Sequence, residues 1–66
     1  MTITLNGDPH DIPAPLSVSH LLDTLAIDAR RVAVELNLAV IKKAAYDSAI
    51  VGDGDAVEIV NFVGGG

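Results

Sequence analysis

The chain has 66 residues, half of them hydrophobic, which is one small domain with enough apolar surface for a single core. Its net charge is −5, from nine acidic against four basic residues, and its aromatics are one Tyr and one Phe. That balance excludes a nucleic-acid surface, which calls for a basic patch and stacking rings. The absence of cysteine excludes a disulfide framework, a Cys-based zinc site and sulfur chemistry on a side-chain thiol.

Met1–Leu5 alternates polar and apolar residues and predicts a strand with Ile3 and Leu5 facing inward. Asn6-Gly7 tolerates positive φ at both positions and signals a tight hairpin. The return strand runs from Asp8 to about Ile12. Pro9 cannot donate to a ladder, so this strand belongs at an edge. Pro13 and Pro15 force an extended connection. Ser17 sits at a helix N-cap, and Val18, Leu21, Leu22 and Leu25 then recur on one helical face. The helix is expected to end near Leu25 or Ala26, with Ile27 adding a core contact and 28–31 forming a polar link.

Val32–Leu36 is the cleanest strand, with Val32, Val34 and Leu36 on one face and Ala33 and Glu35 on the other. Asn37 marks a turn, and Leu38–Ile41 reads as a second short strand. Residues 42–47 read as a single helical turn or a loop pinned by Tyr46. Ile50 and Val51 are expected to return to the core. Gly52-Asp53-Gly54-Asp55 is a turn that launches the last strand, Ala56–Val63. One amphipathic helix and several short strands give an α+β, two-layer domain, with the first and last strands side by side. No apolar run approaches the ~20 residues of a membrane helix, and Met1 leads directly into the first strand without a signal peptide. The expectation is an acidic, soluble, cytoplasmic domain over 1–63.

Gly64-Gly65-Gly66 follows. Three glycines lose much backbone entropy on ordering and bury no side chain, so this tail is expected to be mobile and exposed. Terminal glycines alone also fit a linker remnant. Extended, the tail reaches roughly 10 Å and lacks any Cβ, so it fits a channel too narrow for bulkier residues. The chemically distinct group it offers is the Gly66 carboxylate, which becomes the candidate working group. Other chemistry is poorly supplied. There is no phosphate-binding Gly-Lys-Ser/Thr loop. The 52–55 turn lacks calcium-loop spacing. His10 and His20 read as surface residues, and Ser17 as a cap. No metal ligand set and no catalytic residue is proposed. If Val57 and Ile59 face the helix, Val60 and Phe62 lie on the opposite face as a candidate docking pair. A bulge that buries Phe62 is the alternative.

The sequence resembles the sulfur carrier proteins of thiamine (thiazole) biosynthesis, the ThiS family of ubiquitin-like β-grasp proteins, over its whole length. The matching residues are Asn6-Gly7, Ser17-Val18 with Leu21-Leu22, Val32–Asn37, Asp53–Asp55 with Val57–Val60, and Phe62–Gly66. The family often carries Val-Pro-Arg after its short strand. Here Ile41-Lys42-Lys43 stands instead, which keeps positive charge and loses the proline. The resemblance implies a mixed sheet packed on one main helix with a flexible C-terminal Gly-Gly tail. It also implies a co-substrate that is not an enzyme. A ThiF-like adenylating enzyme, using ATP and Mg²⁺ that this chain does not itself bind, would activate Gly66. A sulfur-donor system, a cysteine desulfurase or sulfurtransferase, would convert Gly66 to a thiocarboxylate. Thiazole synthase would accept the sulfur, while Gly64 and Gly65 thread the partners' active sites. The shared tail leaves molybdopterin synthesis open as the destination. A non-covalent adaptor and an isopeptide-forming modifier are the readings from other classes.

Overall fold

The computed structural model describes residues 1–62. Its elements in chain order are β1 (Thr2–Leu5), β2 (Asp8–Asp11), β3 (Leu16–Ser17), α1 (Val18–Thr24), β4 (Val32–Leu36), β5 (Ala39–Ile41), β6 (Ile50–Val51) and β7 (Ala56–Asn61). Single 3-10 turns at Ala29–Arg31 and Lys43–Ala45 flank the β4–β5 hairpin. The main sheet has the order β2-β1-β7-β4-β5, and β3 and β6 form a second, two-stranded sheet. β1 and β7 run parallel, and the other pairings are antiparallel. This is the expected α+β arrangement, a mixed sheet on one main helix.

The core follows from alternation. Ile3, Val32, Val34 and Val57 point from the sheet to one side and meet Val18, Leu21 and Leu22 of α1, with Ile12, Leu16, Tyr46 and Val51 closing the rim. The Tyr46 hydroxyl donates to the Val32 carbonyl at 3.3 Å, so the buried phenol leaves no unpaired polar atom. Ser17 caps α1 as expected, its Oγ accepting from the His20 amide at 3.0 Å. Pro9 lies on the edge strand β2, where its missing N–H breaks no central ladder.

The helix ends at Thr24. The Ile27 amide donates to the Leu22 carbonyl and the Ala26 amide to the Asp23 carbonyl, at 2.9 and 3.0 Å. Those two bonds are the Schellman termination, and Ile27 packs against the core as its apolar partner. The left-handed position in it is Ala26, at φ 57°, where glycine is usual.

Two positions depart from the sequence expectation. Leu38 is not in a strand. It occupies the tip of the β4–β5 turn at φ 71°, beside Asn37 at φ 51°, and is 88% exposed. The two-residue connection needs positive φ at both positions to match strand twist, and that geometry overrides the β-propensity of leucine. Ile50 is exposed, not core, because the β3–β6 pairing turns Val51 inward and Ile50 outward. The pairing itself was not anticipated, since two residues are too few to carry a period.

Asp53 and Asp55 of the expected turn have structural partners. Asp53 accepts from the Thr2 amide at 3.0 Å. Asp55 accepts from the Gly52 amide at 2.8 Å and from Asn37 Nδ2 at 3.1 Å, tying the start of β7 to the β4–β5 turn. These bonds favour the carboxylate, the Gly52 amide most, and hold Asp55 below its ordinary 3.8.

A left-handed Cβ costs roughly 1–2 kcal/mol, against the roughly 0.5–1 kcal/mol of extra entropy that glycine loses, so Ala26→Gly and Leu38→Gly should each raise stability by about 0.5–1 kcal/mol. Urea denaturation with an unchanged m-value checks this, and a loss at either site contradicts it. Asp55→Ala should cost about 1–2 kcal/mol at neutral pH. Because the folded pKa of Asp55 is depressed, its contribution is present above 3.8 and is lost as pH falls through the lower folded value. The stability gap between the unaltered chain and Asp55→Ala should therefore close as the pH is taken below 3.8.

Candidate functional site

Everything that follows Asn61 leaves from β7, so the site is built where that strand ends. β7 is the middle strand of the five, held on both sides. Against β4 its register runs from Leu36↔Val57 to Val32↔Asn61. Against β1 the strand pairing covers Thr4↔Ala56 and Leu5↔Val57. Beyond it, the Asn6 side chain takes over the role of a neighbouring backbone. Asn6 Oδ1 accepts from the Ile59 amide at 2.7 Å, and Asn6 Nδ2 donates to the Ile59 carbonyl at 3.3 Å. The turn residue chosen for positive φ thus also steadies the second half of β7.

Val57 is buried and Ile59 packs on the core, so Glu58 and Val60 face outward. Across the ladder Glu58 pairs with Glu35 and Val60 with Ala33, and Glu35 pairs in turn with Val40. The outer face therefore carries two facing carboxylates bordered by exposed Val40 and Val60. Like charges directly opposite one another disfavour the sheet, so nothing in folding requires that pair.

Phe62 lies one residue beyond β7. Its amide donates to the Arg31 carbonyl at 2.9 Å, continuing the β4 ladder by one bond. Its side chain is 52% exposed, so the buried alternative does not hold. Lys43 Nζ sits 5.0 Å from the centre of its ring and donates to the Ala29 carbonyl at 3.0 Å. This cation–π contact brings the two 3-10 turns and the end of β7 together. Beside it, Asp28 takes Arg30 at 3.0 Å and Arg31 at 3.8 Å. The Arg30 hydrogen bonds lower Asp28 to about 2 and raise Arg30 from its ordinary value.

Val60 and Phe62 are thus both on the surface, at 59% and 52% exposure. Gly64, Gly65 and Gly66 lie outside the described residues, as does the boundary at 63. The Lys43–Phe62 contact escaped the sequence reading, although a signal for it existed. Arg30-Arg31 precedes β4 and Lys42-Lys43 follows β5, so an antiparallel hairpin must bring both pairs to its open end. The Asn6 clamp carried no such signal, because it depends on the parallel register of β1 and β7. His10 and His20 belong to separate elements, and among the described residues no three His, Asp or Glu side chains gather as a metal site. Among the same residues no helix is long and apolar enough to cross a membrane.

Comparison with known proteins agrees with this architecture. The crystal structure of a thiamine biosynthesis protein (ThiS) from Geobacter metallireducens superimposes with a TM-score of 0.89 at 43% identity, covering 100% of both chains. A thiazole synthase of Paramagnetospirillum magneticum is 44% identical over all 66 residues, and one of Magnetococcus marinus is 39% identical over the same span. In each case the chain spans 20% of the relative's length. The family model described as the ThiS family matches residues 3–66. With a β-grasp fold shared end to end and a family match over nearly the whole chain, this protein belongs to the ThiS family.

Proposed function

We propose that this chain is a sulfur carrier of thiamine biosynthesis, a co-substrate and not a catalyst, with the Gly66 carboxylate as its loading point. The observation that carries the reading is the family match over residues 3–66, which takes in Gly64, Gly65 and Gly66.

A carboxylate is a poor acyl donor, so a ThiF-like enzyme with ATP and Mg²⁺ joins a Gly66 carboxylate oxygen to the α-phosphorus and releases pyrophosphate. A persulfide of the sulfur-donor system, fed by a cysteine desulfurase or sulfurtransferase, attacks the acyl carbon and displaces AMP. A donor thiol then cleaves the resulting S–S bond, leaving a disulfide on the donor and a thiocarboxylate on Gly66. With no cysteine in the chain, no side chain competes for the sulfur. Thiazole synthase is the acceptor. The similar stretch within two thiazole synthases supports this, since a carrier and its acceptor in one polypeptide meet at high effective concentration.

Gly64 and Gly65 give the tail the slimness needed to enter two active sites in turn. Val60 and Phe62 supply apolar docking contacts at its root. Both are exposed and outside the core cluster, so a partner can cover them without disturbing the fold.

Intact mass after incubation with the adenylating enzyme, ATP and a sulfur source should rise by the difference between sulfur and oxygen, and deletion of Gly65 and Gly66 should abolish the gain while leaving the NMR spectrum of 1–62 in place. No gain with the full chain, or a product attached to lysines of other proteins, would sink the reading. Phe62→Asp should weaken binding to the adenylating enzyme by about tenfold or more in calorimetry, the usual scale for a buried interface aromatic. Unchanged affinity, or an unfolded variant, contradicts the docking role.

A further inference from the structure

The four Lys and Arg residues of this acidic chain all occur in two adjacent pairs, Arg30-Arg31 and Lys42-Lys43. The fold gathers them at one end. Arg30 and Arg31 close the turn before β4, and Lys42 and Lys43 open the turn after β5, so the antiparallel hairpin sets both pairs at its open end. β7 runs antiparallel to β4 and reaches that same end at Val32↔Asn61. The pairs are joined there by contact. The Arg31 carbonyl holds the Phe62 amide, and Lys43 lies over the Phe62 ring while bonded to Ala29.

Asp28 is the acid built into this group, and it neutralises Arg30 most closely. Asp47, after the second turn, bonds Ser19 instead. Arg31, 83% exposed and 3.8 Å from Asp28, and the exposed Lys42 retain most of their charge for solvent or a partner. Core packing does not account for the segregation, since no charged residue is buried. The opposite end of β7 begins among Asp53 and Asp55, and the outer face carries Glu35 and Glu58. A body of net charge −5 with its Lys and Arg side chains confined to one pole, and the Met1 ammonium the cation at the other, has a charge asymmetry along the axis of β7.

We infer that Arg31, Lys42 and Lys43 form a basic collar around the root of the tail, which docks on an acidic rim at the mouth of the partner site that receives Gly66. The pole turns the tail toward that rim before contact, and the net negative body disfavours approach in other orientations. This inference rests on the carrier reading for the identity of the partner.

The test compares two variants of the full chain with equal net charge. Arg31→Gln/Lys42→Gln removes two collar cations, and Thr4→Glu/Leu38→Glu adds two acids at the far end of the sheet. Lys43 is left intact because its contacts are structural. Stopped-flow association with the adenylating enzyme is measured at low and high ionic strength. The collar variant should associate about tenfold more slowly at low salt with a flatter salt dependence, while the far-end variant stays within about twofold of the unaltered chain. Arg31→Lys/Lys42→Arg should restore the rate. Equal slowing of both variants, no slowing, or acceleration by the collar variant overturns the collar. If the collar fails while the unaltered chain still gains sulfur, the carrier reading survives alone. If the unaltered chain neither binds nor gains sulfur, both fall.

Discussion

The structure depends on where β7 sits. A last strand at the edge of a sheet would be held on one side, and fraying would spread the positions of whatever follows it. Here β1 and β4 enclose it. Val57 anchors it in the core, and the Asn6 side chain replaces the backbone partner that β1 can no longer supply. Burial of alternate residues fixes the register, because a one-residue slip would expose Val57 and bury Glu58. The outward position of Val60 follows from the same constraint.

That constraint also fixes where β7 ends in a domain this small. A chain of this size buries a small core, so the pairing on both sides of β7 matters for its order. The fold presents Phe62 at the end of a strand paired on both sides, a platform at one end of the sheet. The polar groups near the platform do two jobs. Asn37, Asp55 and Gly52 secure the beginning of β7, and Arg31, Lys43 and Phe62 define its end. The residues of the second group contribute little burial, and exposed charges of this kind add little to stability.

Two positions show where backbone strain is tolerated. Ala26 and Leu38 hold left-handed backbone without glycine, whereas the matching β1–β2 turn uses Asn6-Gly7. The Schellman bonds at Ala26 and the hairpin register at Leu38 impose the geometry whatever the side chain. Such sites are common where tertiary contacts outweigh local preference.

The order of the five main-sheet strands and the helix, the inward faces of β1, β4 and β7, the Ser17 cap and the edge position of Pro9 were all legible in the sequence. Each rests on a period or a steric rule that acts within a few residues. The glycine tail and the family pattern were legible too, and they pointed to Gly66 without any help from the fold. Only the tertiary structure decided that Leu38 belongs to a turn, that Ile50 faces out beside a two-residue sheet, and that Phe62 lies exposed under Lys43. It also decided that Asn6 clamps Ile59. These facts depend on partners brought together by strand register, and register is set by burial over the whole core and not by neighbours in the chain.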